Sequence, residues 1–433
     1  MNRRTFIQSS AIAMASGMTA RGANDRVNVA VIGLRGRGRD HITCYSKLPE
    51  ARVAAVCDID QAQIERAVQF TEQTTGAKPQ KTYPDIRKLL DDKDIDAVSI
   101  ATCNHWHALA TIWACQAGKD VYVEKPASHE IWEGRKMVEA ARKYNRIVQV
   151  GLQSRTTAHK IRAIQMLHDG VIGKLYLAKG LCYKRRKSIG HQPNGPVPPG
   201  VDYNLWVGPA EMLPFNPNRF HYNWHWFWNT GNGDIGNQGV HEMDICRWGL
   251  NKQTLPEAVV SDGGKFVYDD DQETPNTQLA TFHYPDCELV FEVRGLITGG
   301  ESSIAYDGSN FIGNLFFGSE GWMSLDLKGC QIYKGEDREL VQAFKYSEPE
   351  EWDTTPHIEN FLNAVRSRNR KDLTCDIEEG HLSTALVHMA NISYRTGRKL
   401  HFDPKTERFI NDDEANRYIK RKYREPFVIP ENV

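Results

Sequence analysis

Glu124, Lys125 and Pro126 are the residues whose types and order most directly predict chemistry in this chain. They follow the short apolar run Val121–Val123, which has the composition of a buried strand. A lysine in a partly desolvated site can give or take a proton near neutral pH, and the proline after it fixes the backbone. A single lysine is more often a solvated surface charge, so this triplet predicts chemistry only beside a binding site.

A glycine-rich turn near the start of the chain predicts such a site. Gly33, Gly36 and Gly38 follow the apolar run Val27–Ile32 and precede a predicted helix. Glycines here permit a tight turn and a close approach of the backbone to a pyrophosphate at the helix N-terminus. Arg35 stands at the second glycine position of the usual fingerprint, which is a departure from that motif.

An acidic residue strengthens the prediction of a dinucleotide-binding site. Asp58 ends the second predicted strand, 20 positions after Gly38. A carboxylate in this place accepts hydrogen bonds from the adenosine ribose and repels a 2′-phosphate, which favours NAD over NADP. Arg35, Arg37 and Arg39 keep NADP open, because arginines in the turn could hold that phosphate.

Polar residues also follow the strand predicted at Ala97–Ala101. Asn104 and His107 are expected at the nicotinamide side, and Thr102 is expected to contact the cofactor, because ligands bind at strand carboxyl ends. The next helix is predicted from Ala108. A metal site at His105 and His107 is the alternative. Their spacing, with only a cysteine close by and no carboxylate, argues against a metal.

Strands and helices alternate over residues 24–150, which predicts a parallel sheet wrapped by helices. Residues 151–410 read mostly as strands separated by hairpin-like turns, which predicts an antiparallel sheet. The fold class is therefore α/β with two domains. Residues 411–433 form a polar C-terminal tail.

The chain resembles the Gfo/Idh/MocA oxidoreductase family, and its twin-arginine-exported branch in particular. The resemblance rests on the glycine turn, Thr102–His107, the Glu124-Lys125-Pro126 triplet and the segment Gly233–Asp244, and it extends to about Pro404. It implies an N-terminal Rossmann domain and a C-terminal α/β domain with an open, mostly antiparallel sheet. Such sheets commonly make oligomer contacts, so a homodimer or homotetramer is expected.

The resemblance also implies roles for individual residues. Lys125 matches the family's lysine and His241 its active-site histidine, while Asn237 stands at the position of an aspartate. An asparagine can orient a hydroxyl but cannot accept a proton at pH 7, which leaves Lys125 and His241 as the principal pair. The predicted cofactor contacts are Gly33, Arg35, Gly36, Arg37, Gly38, Asp58, Thr102, Asn104, His107, Glu124, Lys125 and Gln153.

Aromatic and imidazole side chains are interleaved over Phe220–Trp228, just before the segment that contains His241. Aromatic faces beside hydrogen-bonding groups suit a carbohydrate, although a core or oligomer-contact cluster is the alternative. The predicted substrate contacts are Arg155, Tyr183, Trp206, Trp224, His225 and His241.

The bulk sequence excludes some partners and indicates a location. A net charge of −1 over 433 residues offers no general attraction to nucleic acid. Arg3, Arg4 and Phe6 precede a mildly apolar stretch, so residues 1–23 predict a twin-arginine signal and a periplasmic protein, with a disordered basic start as the alternative. No later segment is long enough to span a membrane, and nine cysteines without a C-x-x-C pair predict buried thiols.

Together these features predict an NAD-dependent oxidoreductase that acts on a sugar or glycoside hydroxyl, with Lys125 and His241 handling the proton. Free NAD is scarce outside the cytoplasm, so the cofactor is expected to be tightly held. A redox-neutral glycosidase, working by transient oxidation at C3 and elimination, is the second hypothesis. A non-catalytic sugar-binding protein with structural NAD is the third.

Overall fold

The computed structural model describes residues 26–301, 304, 306, 307, 310–345 and 353–433. The predicted export signal, residues 1–23, lies outside these described residues. Among the helices that the structure describes, none combines the length and the apolar composition that a bilayer span requires.

The N-terminal half contains a six-stranded parallel sheet. Its strands are β1 (Val27–Ile32), β2 (Ala51–Cys57), β3 (Lys81–Tyr83), β4 (Ala97–Ile100), β5 (Asp120–Val123) and β6 (Val148–Val150). Their spatial order is β3-β2-β1-β4-β5-β6. The order reverses between β1 and β4, and a crevice for ligands opens at the carboxyl ends of such a pair.

Five helices connect these strands: α1 (Gly36–Ser46), α2 (Gln61–Thr75), α3 (Ile86–Leu90), α4 (Asn104–Gln116) and α5 (Ile131–Lys143). The Asp60 side chain caps α2 by accepting from the backbone N–H of Ala62, and Gly76 ends it in the left-handed conformation. Helix α4 begins at Asn104, four residues before the predicted Ala108. The first turn was missed because its polar residues read as a loop.

The C-terminal half contains an eleven-stranded sheet. Its strands are β7 (Leu175–Lys184), β8 (Ala258–Gly264), β9 (Thr277–Tyr284), β10 (Cys287–Arg294), β11 (Tyr306–Asp307), β12 (Asn310–Gly318), β13 (Gly321–Asp326), β14 (Gly329–Lys334), β15 (Glu339–Lys345), β16 (Leu400–Asp403) and β17 (Arg408–Phe409). The order is β15-β14-β13-β12-β7-β10-β9-β8-β16-β17, with β11 beside β12. Among the described strands of this sheet, only β7 and β10 pair in parallel, so the predicted α/β class with a mostly antiparallel second sheet is confirmed.

Helices of this half are α6 (Ala158–His168), α7 (Tyr203–Val207), α8 (Val240–Gly249), α9 (Thr355–Ser367), α10 (Ile377–Thr396) and α11 (Asp413–Arg417). Helices α8 and α10 pack on one face of the large sheet. Side chains along β10 alternate between buried and partly exposed, as expected of a sheet with one covered face.

Two C-terminal segments return to the N-terminal half. Ile358 and Phe361 of α9 belong to one apolar cluster with Val29 and Tyr122 of the first sheet. Phe427 of the tail is buried and lies 5.6 Å from the Trp106 ring, measured between ring centroids. The domain boundaries predicted at residues 150 and 410 stay predictions, because packing continues across both.

Candidate active site

The turn after β1 accepts only glycine at two of its three glycine positions. Gly33 has a φ of +84°, and a Cβ there would lie 2.6 Å from the carbonyl oxygen of Ala101. A Cβ on Gly38 would lie 1.8 Å from the carbonyl oxygen of Gly33. A Cβ on Gly36 would meet nothing within 4 Å, so the first residue of α1 faces open space.

Asp58 joins this turn to the end of β2. Its two carboxylate oxygens accept hydrogen bonds from the backbone N–H groups of Leu34, at 2.8 Å, and Asp60, at 3.1 Å. Burial raises the pKa of Asp58 to about 6, against the stabilising effect of those hydrogen bonds. Asp58 and Arg35 line one cleft together with Gly33 and Thr102. The structure therefore brings four of the predicted cofactor contacts together.

Two enclosed polar atoms fit a bound dinucleotide, one from Thr102 in the cleft and one from Gln153 in the segment after β6. Thr102 Oγ1 and Gln153 Oε1 are both enclosed, and neither has a hydrogen-bond partner in the described part of the chain. Enclosed polar atoms normally have partners, and NAD offers amide, hydroxyl and phosphate groups that could supply them. The glycine turn, the Asp58 carboxylate and these two atoms would hold NAD. The individual contacts stay predictions.

Lys125 follows β5 and is held by the segment before α8. Its Nζ donates a hydrogen bond to the backbone carbonyl of Asn237 at 2.7 Å. Burial lowers the pKa of Lys125 to about 8. The charges of Arg186 and Lys184 act in the same direction, and Glu124 opposes them. Lys125 is therefore a group that can exchange a proton near neutral pH.

Glu124 and Arg37, both predicted as cofactor contacts, bind each other. Arg37 Nε lies 2.8 Å from Glu124 Oε1, and His41 Nε2 lies 3.0 Å from the same oxygen. Burial alone would raise the pKa of Glu124, but Arg37 and His41 hold it well below its ordinary value. The Arg37–Glu124 ion pair holds the residue next to Lys125 in place. No sequence motif indicated that His41 would also bind Glu124.

His241 lies in the first turn of α8 and is buried. Burial and then the charge of Lys125 lower its pKa well below the ordinary value, so the imidazole is neutral at pH 7. The Asn237 side chain donates to Asp234 Oδ1 at 3.4 Å, so Asn237 meets Lys125 through its backbone carbonyl. Arg186 Nη2 lies 2.6 Å from the same Asp234 oxygen.

The charge of Lys125 acts on the pKa of His225, a predicted substrate contact, as it does on that of His241. Burial lowers the pKa of His225 to about 3, and the charges of Lys125 and Arg186 contribute. Lys184 and Arg185 are candidate cleft residues from the sequence, whereas Arg186, whose charge also acts on Lys125, was not predicted. The sequence reads as an exposed loop from Lys184 onward.

His107 bonds to the segments that follow β4 and β5, and Asn104 bonds to the C-terminal half of the chain. The ring nitrogens of His107 lie 2.7 Å from the Pro126 carbonyl oxygen and 3.0 Å from that of Thr102. Asn104 Nδ2 donates to Asn232 Oδ1 at 2.9 Å. Both side chains are buried and bound to protein, and their contact with the cofactor stays a prediction. Within the described residues, no group of three or more histidines, cysteines or acids is arranged to hold a metal.

Trp206 and Trp224 are predicted substrate contacts, and the structure places them beside predicted cofactor contacts. Both line the cleft that contains Asp58, at the end of β2. The chain from β7 to α8 reaches this end of the first sheet, where the N–H of Gln61 donates to the Gly200 carbonyl at 3.0 Å and the N–H of Asp202 to the Ile59 carbonyl at 2.9 Å. The C-terminal half therefore covers this part of the cleft.

Arg155 and Tyr183, both predicted as substrate contacts, are held by polar contacts within the protein, and their contact with substrate stays a prediction. Arg155 forms a buried two-pronged ion pair with Asp244, with Nη2 2.8 Å from Oδ1 and Nε 2.9 Å from Oδ2. Gly180 of β7 faces Glu242 of α8, and Tyr183, three residues on, lies on the opposite face of the sheet. Its hydroxyl binds Glu292 at 2.8 Å.

A parallel sheet with a glycine turn, a buried carboxylate at the end of its second strand and a lysine of lowered pKa defines a dinucleotide-dependent oxidoreductase. The comparison with protein families agrees. A model described as an oxidoreductase family with an NAD-binding Rossmann fold matches residues 27–152, and one for the C-terminal α/β domain matches residues 176–305 and 325–429. The chain belongs to the Gfo/Idh/MocA family, and NAD is its cofactor.

Curated relatives match part of the chain. A Glycosyl hydrolase family 109 protein of Saccharopolyspora erythraea is 25% identical over 220 residues, which are 49% of this chain and 42% of the relative. Inositol 2-dehydrogenase 2 of the same organism is 28% identical over 231 residues, which are 53% of this chain and 55% of the relative. The matched region is thus less than two thirds of each relative.

Solved structures share the fold over most of the chain. Levoglucosan dehydrogenase, in complex with NADH and levoglucosan, has a TM-score of 0.66 at 16% identity and covers 88% of this chain and 100% of its own. The WlbA dehydrogenase of Bordetella pertussis, in complex with NADH and UDP-GlcNAcA, has a TM-score of 0.63 at 19% identity, with 87% and 99% covered.

Proposed function

We propose that this protein transfers hydride between NAD and a CH–OH group of a sugar or glycoside. The observation that carries the proposal is the Lys125 amine, with a pKa of about 8, at the carboxyl end of the sheet that bears the glycine turn. Similar proteins named as dehydrogenases of inositol and levoglucosan support the substrate class.

The residues around Lys125 divide the work on the substrate hydroxyl. Bound NAD would supply the hydride acceptor. The amine form of Lys125 takes the hydroxyl proton, while the Asn237 carbonyl, 2.7 Å from Nζ, holds the amine in place. His241, which is uncharged at pH 7, offers a hydrogen bond to the substrate oxygen rather than acting as a strong base.

A redox-neutral glycosidase is the second candidate function. It is favoured by the relatives named Glycosyl hydrolase family 109 and by the coverage of the cleft by Trp206 and Trp224. In such a reaction, oxidation at C3 of the sugar acidifies the C2 proton, elimination expels the aglycone, and water addition and reduction restore the sugar. An enclosed cofactor suits this cycle because NAD is regenerated within each turnover.

One assay separates the two candidates. The purified protein is incubated with free sugars and aryl glycosides while the reduced-nicotinamide band and aglycone release are followed together. Net reduction of added NAD supports the dehydrogenase, and aglycone release without net reduction supports the glycosidase. A Lys125→Ala variant that kept full turnover in the productive assay would remove Lys125 from either mechanism.

Location and assembly complete the proposal. The Arg3, Arg4 and Phe6 pattern supports export by the twin-arginine route, which carries folded proteins and therefore allows NAD to be loaded in the cytoplasm. The large sheet leaves Val260 and Leu279 exposed on its outer face, which supports a homo-oligomer through that face. Fractionation of cells expressing the full chain, with Arg3 and Arg4 changed to lysine as the control, tests the location.

A further inference from the structure

A second cavity, of about 160 Å³, lies between the C-terminal tail, α10 and the start of α5. It shares no lining residue with the cleft that contains Asp58. Four basic residues line this basic cavity: Arg395, Arg417, Lys420 and Arg421. Glu130 is its only acidic lining residue among those that the structure describes. The formal charge of the lining is therefore positive.

Arg421 is the enclosed cation of the basic cavity. Its Nη2 donates to the carbonyl oxygen of Asn229 at 2.8 Å. Nε and Nη1 are also enclosed, yet neither meets a hydrogen-bond acceptor in the described part of the chain. The nearest carboxylate oxygen, Glu130 Oε1, lies 3.7 Å from Nε, which is too far for a hydrogen bond. Two N–H donors of one guanidinium thus remain available to an acceptor.

Arg395 stands at the rim of the same cavity. Its guanidinium lies over the rings of Tyr418, 4.2 Å from the centroid, and Trp228, at 5.0 Å. Stacking engages the faces of a guanidinium and leaves its N–H edge available for hydrogen bonds. No carboxylate among the described residues pairs with Arg395, whereas Lys420 is already paired with Glu431.

Glu130 does not neutralise this set of cations. Its Oε1 lies 2.6 Å from His129 Nδ1, and burial raises the pKa of the carboxyl group. Asn232 and Asn391 also line the cavity, and the side-chain N–H groups of both donate to protein acceptors. Among the described residues that line the cavity, the enclosed atoms without a hydrogen-bond partner are Glu130 Oε2 and the Nε and Nη1 donors of Arg421. The two guanidinium donors match an oxyanion.

We propose that the basic cavity binds an oxyanion, a sulfate, phosphate or carboxylate group, through Arg421 and Arg395. The site is separate from the cofactor cleft, so it does not depend on the proposed reaction. The group could belong to a free inorganic ion or to a sugar acid, since Trp228 beside Arg395 offers an aromatic face to a sugar ring.

Calorimetric titration of the full chain tests the site. Sodium sulfate, sodium phosphate and sodium glucuronate are titrated at constant ionic strength, with sodium chloride as the reference, and thermal unfolding is followed in parallel. We expect saturable binding and a rise in Tm that chloride does not reproduce. Binding of the inorganic anions alone identifies a free-ion site, and tighter binding of glucuronate identifies a sugar-acid site. Equal responses to all four salts would overturn the proposal.

Variants and crystals locate the binding. Arg395→Gln and Arg421→Gln should each lower the affinity for the anion by about tenfold or more, because each removes a charged donor. Arg366→Gln changes the charge equally on an exposed part of α9 and should leave binding unchanged. Unchanged affinity in both cavity variants would contradict the proposal. Soaking crystals of the unmodified chain in selenate tests the site without depending on whether a variant folds. We expect an anomalous peak between Arg395 and Arg421.

Discussion

At the scale of single residues, the proposed function depends on Asp58 and Lys125, and burial shifts the pKa values of both. The pKa of Asp58 rises to about 6 and that of Lys125 falls to about 8, so at pH 7 the first is mostly charged and the second only partly neutral. The two groups lie at the ends of β2 and β5, on the same edge of one sheet. The Asp58 carboxylate can accept hydrogen bonds from ribose hydroxyls, and the Lys125 amine can accept a proton from a substrate hydroxyl.

Removing the Asp58 carboxylate should lower the affinity for NAD by about tenfold or more. It should also reduce the preference for NAD over NADP, because the repulsion of a 2′-phosphate is lost. Affinities of Asp58→Ala for both dinucleotides, measured by fluorescence titration, test this expectation. Glu65→Ala, which removes an exposed carboxylate from α2, is the control and should bind as the unmodified chain does. An unchanged NAD to NADP ratio in Asp58→Ala would refute the assignment.

The sequence predicted those residues whose roles depend on the local backbone. Gly33 and Gly38 are required by contacts within one turn, and Asp58 and Lys125 sit where strands end. The pairing of Arg186 with Asp234 could not be predicted, because it joins residues 48 positions apart. The place of Trp206 likewise depends on how a long connection folds back onto β2.

At the scale of elements, the Arg155–Asp244 ion pair connects α8 to the chain that follows β6. Asp244 is fully buried and also accepts a hydrogen bond from Ser383 Oγ of α10 at 2.6 Å. Strand alternation puts Tyr183 on the sheet face opposite α8, which the sequence could not show, since one residue of register decides which face a side chain joins. Periodicity predicted the strands themselves but could not say which face α8 covers.

Breaking this ion pair should destabilise the fold. Asp244→Ala leaves the Arg155 charge buried without its main partner, which should lower the free energy of unfolding by about 3–5 kcal/mol. Urea denaturation followed by circular dichroism measures the loss. Glu139→Ala removes the partner of Lys136 from a more exposed pair on α5 and should cost about 1 kcal/mol or less. Similar losses in the two variants would show that the buried pair contributes no more to the free energy of unfolding than the exposed pair does.

At the scale of the whole molecule, the cofactor cleft is built by both halves of the chain. The first sheet supplies the glycine turn and Asp58, while Trp206 and Trp224 arrive from the connection between β7 and α8. Helix α9 and the tail also pack on the N-terminal half, so the halves are joined at several places. A cleft covered from the second half should release NAD slowly.

We therefore expect NAD to remain bound through purification, as measured by nucleotide released on acid treatment. Trp224→Ala opens the cleft and should lower the retained NAD. Trp322→Ala, which removes a ring stacked on Tyr333 of the large sheet, is the matched control and should not. Purified protein free of NAD would contradict an enclosed cofactor.

The dependence of hydride transfer on pH tests the central claim most directly. In a single turnover with a sugar from the productive assay, the oxidation rate should rise with pH and level off above about 8, because the Lys125 amine forms there while His241 stays neutral. Lys125→Met should lose this rise and about 10²–10⁴-fold in rate. The same rate and the same pH profile in Lys125→Met would contradict the assignment of Lys125 as the proton acceptor.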